Sequence, residues 1–171
     1  MACSSIQSIL KDCLNNLGGI YTFYYIDQDL VNGITVDPAT YQITDIDLAE
    51  SMKKIEFKRN TGMYTEEAAI DLINGSSYIT QTITLMLHRR QALISRALKI
   101  AGEGQRYLAI IIGDANGTFW YFDYAQLTAT GEGSGTAKAD GSKYSVTFVA
   151  EAPQLAYTVD PDIIPGLLAV S

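Results

Sequence analysis

Between residues 78 and 87 the sequence alternates without a break, with Ile79, Gln81, Ile83, Leu85 and Leu87 on one side and Thr80, Thr82 and Thr84 on the other. Period-two alternation of this length fits a strand with one face on a core and the other toward water, and it fits no helix. Shorter pieces around it carry the same signature. Residues 20–26 (Ile-Tyr-Thr-Phe-Tyr-Tyr-Ile) are aromatic and β-branched. Residues 107–112 and 119–124 flank Asp114-Ala-Asn116-Gly117, where Asn-Gly is a strong hairpin signal. Residues 127–130 and 143–149 bracket a glycine-rich tip and Asp140-Gly141, and residues 156–159 offer a last strand. Within the body of the chain one long segment switches to helical spacing. Within residues 89–101, Leu93, Ile94, Ala97, Leu98 and Ala101 share a face, and Gly102 follows as a stop. About seven strands and one helix, without βαβ alternation, predict an antiparallel β-sandwich or barrel with one flanking α-helix.

A chain of 171 residues, 47% of them hydrophobic, suits one domain over residues 1–171 with a core of its own. Four segments read as extensions of that domain. In the N-terminal segment 1–19, Ile6, Ile9, Leu10, Cys13, Leu14 and Leu17 fall at helical spacing, with Ser4 or Ser5 as cap and Gly18-Gly19 as stop. A short helix is therefore expected there. Residues 27–50 are acidic and turn-rich (Asp27, Asp29, Gly33, Asp37-Pro38, Asp45, Asp47) and read as a surface connection with at most a short strand near 41–46. Residues 53–59 and 63–70 flank Asn60-Thr61-Gly62 and read as a hairpin projecting from the core, basic on one arm and acidic (Glu66, Glu67) on the other. Residues 161–171, with Ile163, Ile164, Leu167 and Leu168, read as an apolar C-terminal arm.

Charge bounds the partners. With 12 Lys+Arg against 19 Asp+Glu the net charge is −7, which excludes general nucleic-acid binding through phosphate neutralisation. The distribution is uneven: residues 53–106 hold nine of the twelve basic residues and five acids, so that stretch carries +4 and the flanks −11. This is either an ordinary solvated surface or the mark of head-to-tail self-association, a basic middle meeting an acidic flank of the next copy. The longest apolar run, residues 108–112, falls far short of the roughly 20 residues of a membrane helix. Met1–Ser5 supplies neither the basic nor the apolar region of a secretory leader, so none is expected.

No residue constellation predicts catalysis. His88 is the one histidine, and only Cys3 and Cys13 accompany it as soft metal ligands. On one helix those cysteines would stand about 15 Å apart, too far for a disulfide, so both are expected as reduced thiols packed as small hydrophobes. Gly131-Glu-Gly133-Ser-Gly135 lies between strands and contains an acid, which favours a hairpin tip over a phosphate loop. Asp114-Ala-Asn116-Gly117 begins like a calcium loop, but Thr118, Trp120 and Ala125 cannot supply its later ligands. The pairs Asp27/Asp29, Asp45/Asp47 and Asp160/Asp162 read as spaced surface acids. No catalytic, cofactor or metal site is expected. The run Phe119-Trp-Tyr-Phe-Asp-Tyr124 implies a strand covered on both faces, by the chain's own core or by another subunit.

From residue 53 onward the order of elements resembles phage tail tube proteins: charged hairpin, Asn74-Gly75, long alternating strand, amphipathic helix, Leu108-Ala-Ile-Ile-Ile-Gly-Asp-Ala-Asn-Gly117, Thr130-Gly131, and Asp140-Gly-Ser-Lys-Tyr-Ser-Val-Thr-Phe148. The opening (Ala2-Cys3, Asp12-Cys13, Gly18-Gly-Ile-Tyr21) is similar to small tail proteins of phages infecting Bacteroides-type bacteria. The resemblance implies a structural virion protein, assembled in the host cytoplasm, whose sandwiches close into hexameric rings with sheets joined between neighbours. Stacked rings would form a DNA conduit, with tape-measure, terminator and baseplate proteins as partners, no membrane, and DNA only as transiting cargo. Lys58, Arg59, Asn60, Thr61, Gly62, Glu66 and Glu67 would then form the ring-stacking arm, and Ile163, Ile164, Leu167 and Leu168 a subunit contact. A tail terminator, baseplate ring or secretion-tube protein would share this fold. A monomeric carbohydrate-binding module, with Trp120 and the tyrosines as a stacking platform, is the alternative from another class.

Overall fold

A computed structural model describes residues 5–169. Its strands are β1 (Ile20–Asp27), β2 (Val31–Asp37), β3 (Gln42–Leu48), β4 (Lys53–Ile55), β5 (Gly62–Asp71), β6 (Ser76–His88), β7 (Leu108–Asp114), β8 (Phe119–Gly131), β9 (Lys143–Ala152) and β10 (Tyr157–Val159). The helices are α1 (Ala92–Gly102) and the single turn α2 (Ile164–Leu167). The fold is mainly β, as the alternation requires.

Strand β8 organises the whole. Its first half pairs with β7 (Ile111 beside Tyr121) and β10 (Thr158 beside Trp120), within the order β2-β3-β10-β8-β7-β1-β4. Its second half leaves that sheet and pairs with β9, which continues to β6 and β5. The change of sheet coincides with a register shift against β7, where Tyr124 takes φ +50. A bulge bends a strand in this way. The sheet containing β7 therefore has a core on each face. Phe23, Ile110, Ile112 and Phe122 meet Leu85, Val146 and Phe148 of the second sheet. On the other face Tyr24, Ile26, Ile111 and Tyr121 meet Ile43, Ile46, Val159, Ile164 and Leu167. The aromatic run from Phe119 to Phe122 is thus covered on both faces within one chain, while Tyr124 is exposed.

Several expectations are corrected. Residues 27–50 are not a surface connection: they form β2 and β3, an antiparallel pair that curls over the second core. The pairing of β10 with β3 is parallel, so the sheet is mixed rather than purely antiparallel. Residues 53–70 are not a hairpin. Strand β4 pairs with β1 (Phe23 beside Ile55), whereas β5 pairs with β6. The turn at Asn60 (φ +62) exists, but it carries the chain from one sheet to the other. Gly62 sits at that crossing, where a Cβ would lie 2.6 Å from Ile20 Cγ1 and 2.9 Å from Phe57 Cε2. The bare backbone is what allows the two layers to close there.

The C-terminal arm is corrected as well. Ile164 and Leu167 are buried in the second core, and the Met52 N–H donates to the Leu167 carbonyl at 3.0 Å. Ile163 is half-buried against the same core, and only Leu168 stays outward. Residues 170 and 171 of the expected arm lie outside the described residues. No helix forms over residues 5–17, where the apolar side chains are exposed rather than packed, and a short helix is marginal alone. Cys13 is exposed rather than packed. Ser4 and Cys3 lie outside the described residues.

Candidate interaction surfaces

The hairpin that projects is β5–β6, one strand further along than expected. Strand β9 ends opposite Ile79, so Ser76, Ser77 and Tyr78 pair only with β5 and form a two-stranded ribbon beyond the sheet. At its tip, Asp71 Oδ1 accepts from the N–H groups of Ile73 (2.9 Å) and Asn74 (3.2 Å), and Asn74 Nδ2 donates to Asp71 Oδ2. Gly75 takes φ +66 to close the turn. The Asp71 and Asn74 side chains hold this turn, and Leu72 (90% exposed) and Ile73 (95%) are left uncovered at its tip, with Ile70 beside them.

Those hydrogen bonds, the Asn74 side chain first and the two backbone N–H groups after it, hold the Asp71 carboxyl below its ordinary 3.8. A carboxylate with a depressed value stabilises the fold above the unfolded value and loses that contribution as pH falls through the folded one. The tip is therefore expected to hold its shape at neutral pH and to loosen below about pH 4. Amide exchange at Ile73 and Asn74, followed by NMR as pH is lowered, checks this. Protection unchanged down to pH 2 would contradict it.

The residues expected to form one stacking arm are divided. Lys58, Arg59 and Asn60 are exposed on the β4–β5 turn, where Thr61 Oγ1 donates to the Lys58 carbonyl at 2.6 Å. The Arg59 guanidinium lies 5.8 Å from the centre of the Tyr21 ring. Gly62 is buried. Glu66 Oε1 accepts from Gln81 Nε2 (2.8 Å) and the Ala156 N–H (2.7 Å), so this acid ties β5 to β6 and to the β9–β10 connection, not to a basic arm. Glu67 is exposed on β5 opposite Thr80. The turn at residues 58–61 and the tip at 72–75 stand at opposite ends of β5, about 30 Å apart at ordinary strand rise.

No group of three or more His, Cys, Asp or Glu side chains is placed to hold a metal ion among the described residues. Asp114 belongs to a turn: Oδ1 accepts from the Asn116 and Thr118 N–H groups and Oδ2 from the Trp120 indole, each at 2.9 Å. Trp120 is half-buried, with the Tyr64 ring 6.3 Å away. The aromatic pair at the surface is Tyr107 and Tyr124, edge to face at 5.7 Å. In the glycine-rich tip, Asp140 Oδ2 accepts from the N–H groups of Thr136 and Ala137, closing a turn rather than cradling a phosphate.

Two further surfaces stand out, the α1 face, which went unread in the sequence, and the N-terminal segment, expected as a subunit contact. Only Leu98 and Ala101 of α1 are buried and Ile94 is half-buried, while Leu93 and Ala97 of the same face stay exposed. Beside them runs an apolar groove of about 410 Å³ between α1 and strands β1 and β4. The N-terminal segment stands off the domain, with Ile6 and Ile9 fully exposed. Its described side-chain ties to the body are at its foot, where Asn116 accepts from the Leu17 N–H at 2.8 Å and donates to Asn16 Oδ1 at 3.1 Å. No helix among the described residues is long and apolar enough to cross a membrane. The chain matches no protein-family model and no curated protein.

Proposed function

We propose that this protein is a self-assembling structural subunit, the ring-forming unit of a phage tail tube, and not an enzyme. One observation carries the reading. Both cores are closed within the chain, yet large apolar side chains remain uncovered on the β5–β6 tip, the N-terminal segment and the α1 face. Projections of that kind suit contacts between copies, since an isolated domain gains nothing from exposing them. The sheet edges add to this: among the described residues β2 and β5 each leave one side unpaired, and ring closure would use such edges. In a stack, the Leu72–Ile73 tip with Asp71 would face one neighbour, while Lys58 and Arg59 at the far end of β5 would face the other. The acidic flanks would let DNA pass without sticking, and assembly in the host cytoplasm with tape-measure, terminator and baseplate proteins follows from the same reading.

Electron microscopy of the purified protein is expected to show rings of about six subunits, or tubes built from them. A species that stays monomeric at high concentration would overturn the proposal. A second reading rests on the exposed Tyr107–Tyr124 pair, which could stack against sugar rings. Glycan-array binding by a monomer, lost in Tyr124→Ala, would favour it.

A further inference from the structure

We propose that residues 5–17 of one copy fold as an amphipathic helix into the groove between α1 and strands β1 and β4 of a second copy. The two surfaces are complementary in what each lacks. Ile6, Ile9, Leu10, Leu14 and Leu17 recur at helical spacing and are all exposed. Tyr25, Ile55, Leu87, Ile94, Ala97 and Phe148 line the groove, and burial at this position raises the Tyr25 hydroxyl above its ordinary value. The exposed part of the α1 face continues the groove wall, so a helix laid there would cover Ala97 and the groove together.

Length and charge agree with that occupant. Thirteen residues of helix span about 20 Å and the 11-residue α1 about 16 Å, so the segment is long enough to lie along the whole of α1. The segment carries Lys11 and Asp12, and the groove rim carries the Lys54–Glu56 pair, exposed and 3.1 Å apart. Segment and groove lining are each balanced in charge, while α1 beside them carries Arg96 and Lys99. The chain alone leaves both uncovered, because beyond its foot at Asn16 and Leu17 the segment does not lie on its own domain. A second copy covers both at once. Docking would also supply the apolar surface whose absence keeps residues 5–17 from forming the helix that their spacing encodes. The inference rests on the self-assembly reading only in requiring a second copy, and it holds for any ring or tube built from the chain.

Cys13 is exposed on the segment and provides the probe. In a Cys3→Ser background, one population keeps Cys13, and a second, with a larger tag, carries Cys13→Ser and Ala97→Cys. The two are mixed under assembly conditions and gently oxidised; each disulfide forms as two thiols lose their protons and two electrons to diamide. A reductant-sensitive species of mixed size on a non-reducing gel is expected. It should be lost when Gln154→Cys, in a different groove, replaces Ala97→Cys. Equal cross-linking at Gln154→Cys would overturn the proposal. So would a chain carrying both Cys13 and Ala97→Cys that closes only on itself, which would place the segment in its own groove. Rings seen by microscopy without the mixed species would overturn the docking and leave the ring reading intact. The mixed species without rings would uphold the docking and count against the tube.

Discussion

Replacing Leu72 and Ile73 together by Asp is expected to abolish ring stacking while leaving the subunit folded. Both side chains are almost wholly exposed at the end of a ribbon that extends past the sheet, so neither contributes to a core. Surface substitutions away from caps and cores usually change stability by no more than about 0.5 kcal/mol. The turn itself is held by Asp71, Asn74 and Gly75, which the double variant retains. Two carboxylates placed in an apolar contact would each have to be desolvated without a partner, a cost of several kcal/mol repeated at every subunit of the ring. Tube length in electron micrographs should fall to single rings, with the melting temperature unchanged. Tubes of normal length would remove the hairpin from the stacking contact, and a large drop in melting temperature would show that the tip belongs to the fold.

The second large effect lies in the last turn of the described chain. Leu167→Ala is expected to destabilise the isolated subunit by about 3 kcal/mol, the middle of the range for emptying a buried leucine site. In a chain of this length that lowers the melting temperature by about 6–12 °C. The side chain is buried beside Ile164 in the second core, and its carbonyl receives the Met52 N–H. If residues 161–169 were an arm reaching to a neighbour, the substitution would leave the melting temperature alone and weaken assembly instead. Thermal denaturation of the monomer separates the two outcomes, with Leu168→Ala as the control on an outward-facing neighbour.

How far the sequence could be read depended on whether pairing was local. The clean alternation of β6, the period switch at α1 and the Asn-Gly turn between β7 and β8 all depend on residues close in sequence, and each appears where the pattern places it. Segment 27–50 defeated the pattern because β3 is bulged. Thr35 pairs with Asp45 and Val36 with Ile43, so Thr44 is the extra residue, and the buried positions fall at 43, 46 and 48 instead of alternating. The aspartates on the outer face of β3 then looked like a loop. At residues 53–70 the turn signal was genuine, but the partners of its flanks were decided elsewhere: Ile55 by Phe23, and β5 by the still longer β6. The uncovered interaction surfaces were half legible. Apolar spacing in residues 5–17 signalled a buried face without saying that no surface of the same chain would bury it. The exposed tip at Leu72 and Ile73 lies just past residues 63–70, where the sequence pattern ends the projecting hairpin.

The bend at Tyr124 has a thermodynamic consequence. Because β8 runs unbroken from one sheet into the other, with Tyr121 in one core and Phe122 in the other, neither core can lose that strand while the second keeps it. Two hydrophobic interiors in one small chain would ordinarily be free to open at different temperatures. Here they share a beam, and the subunit should melt as a single cooperative unit. In the assembly proposed for it, that would leave no half-open form to be captured by the wrong neighbour.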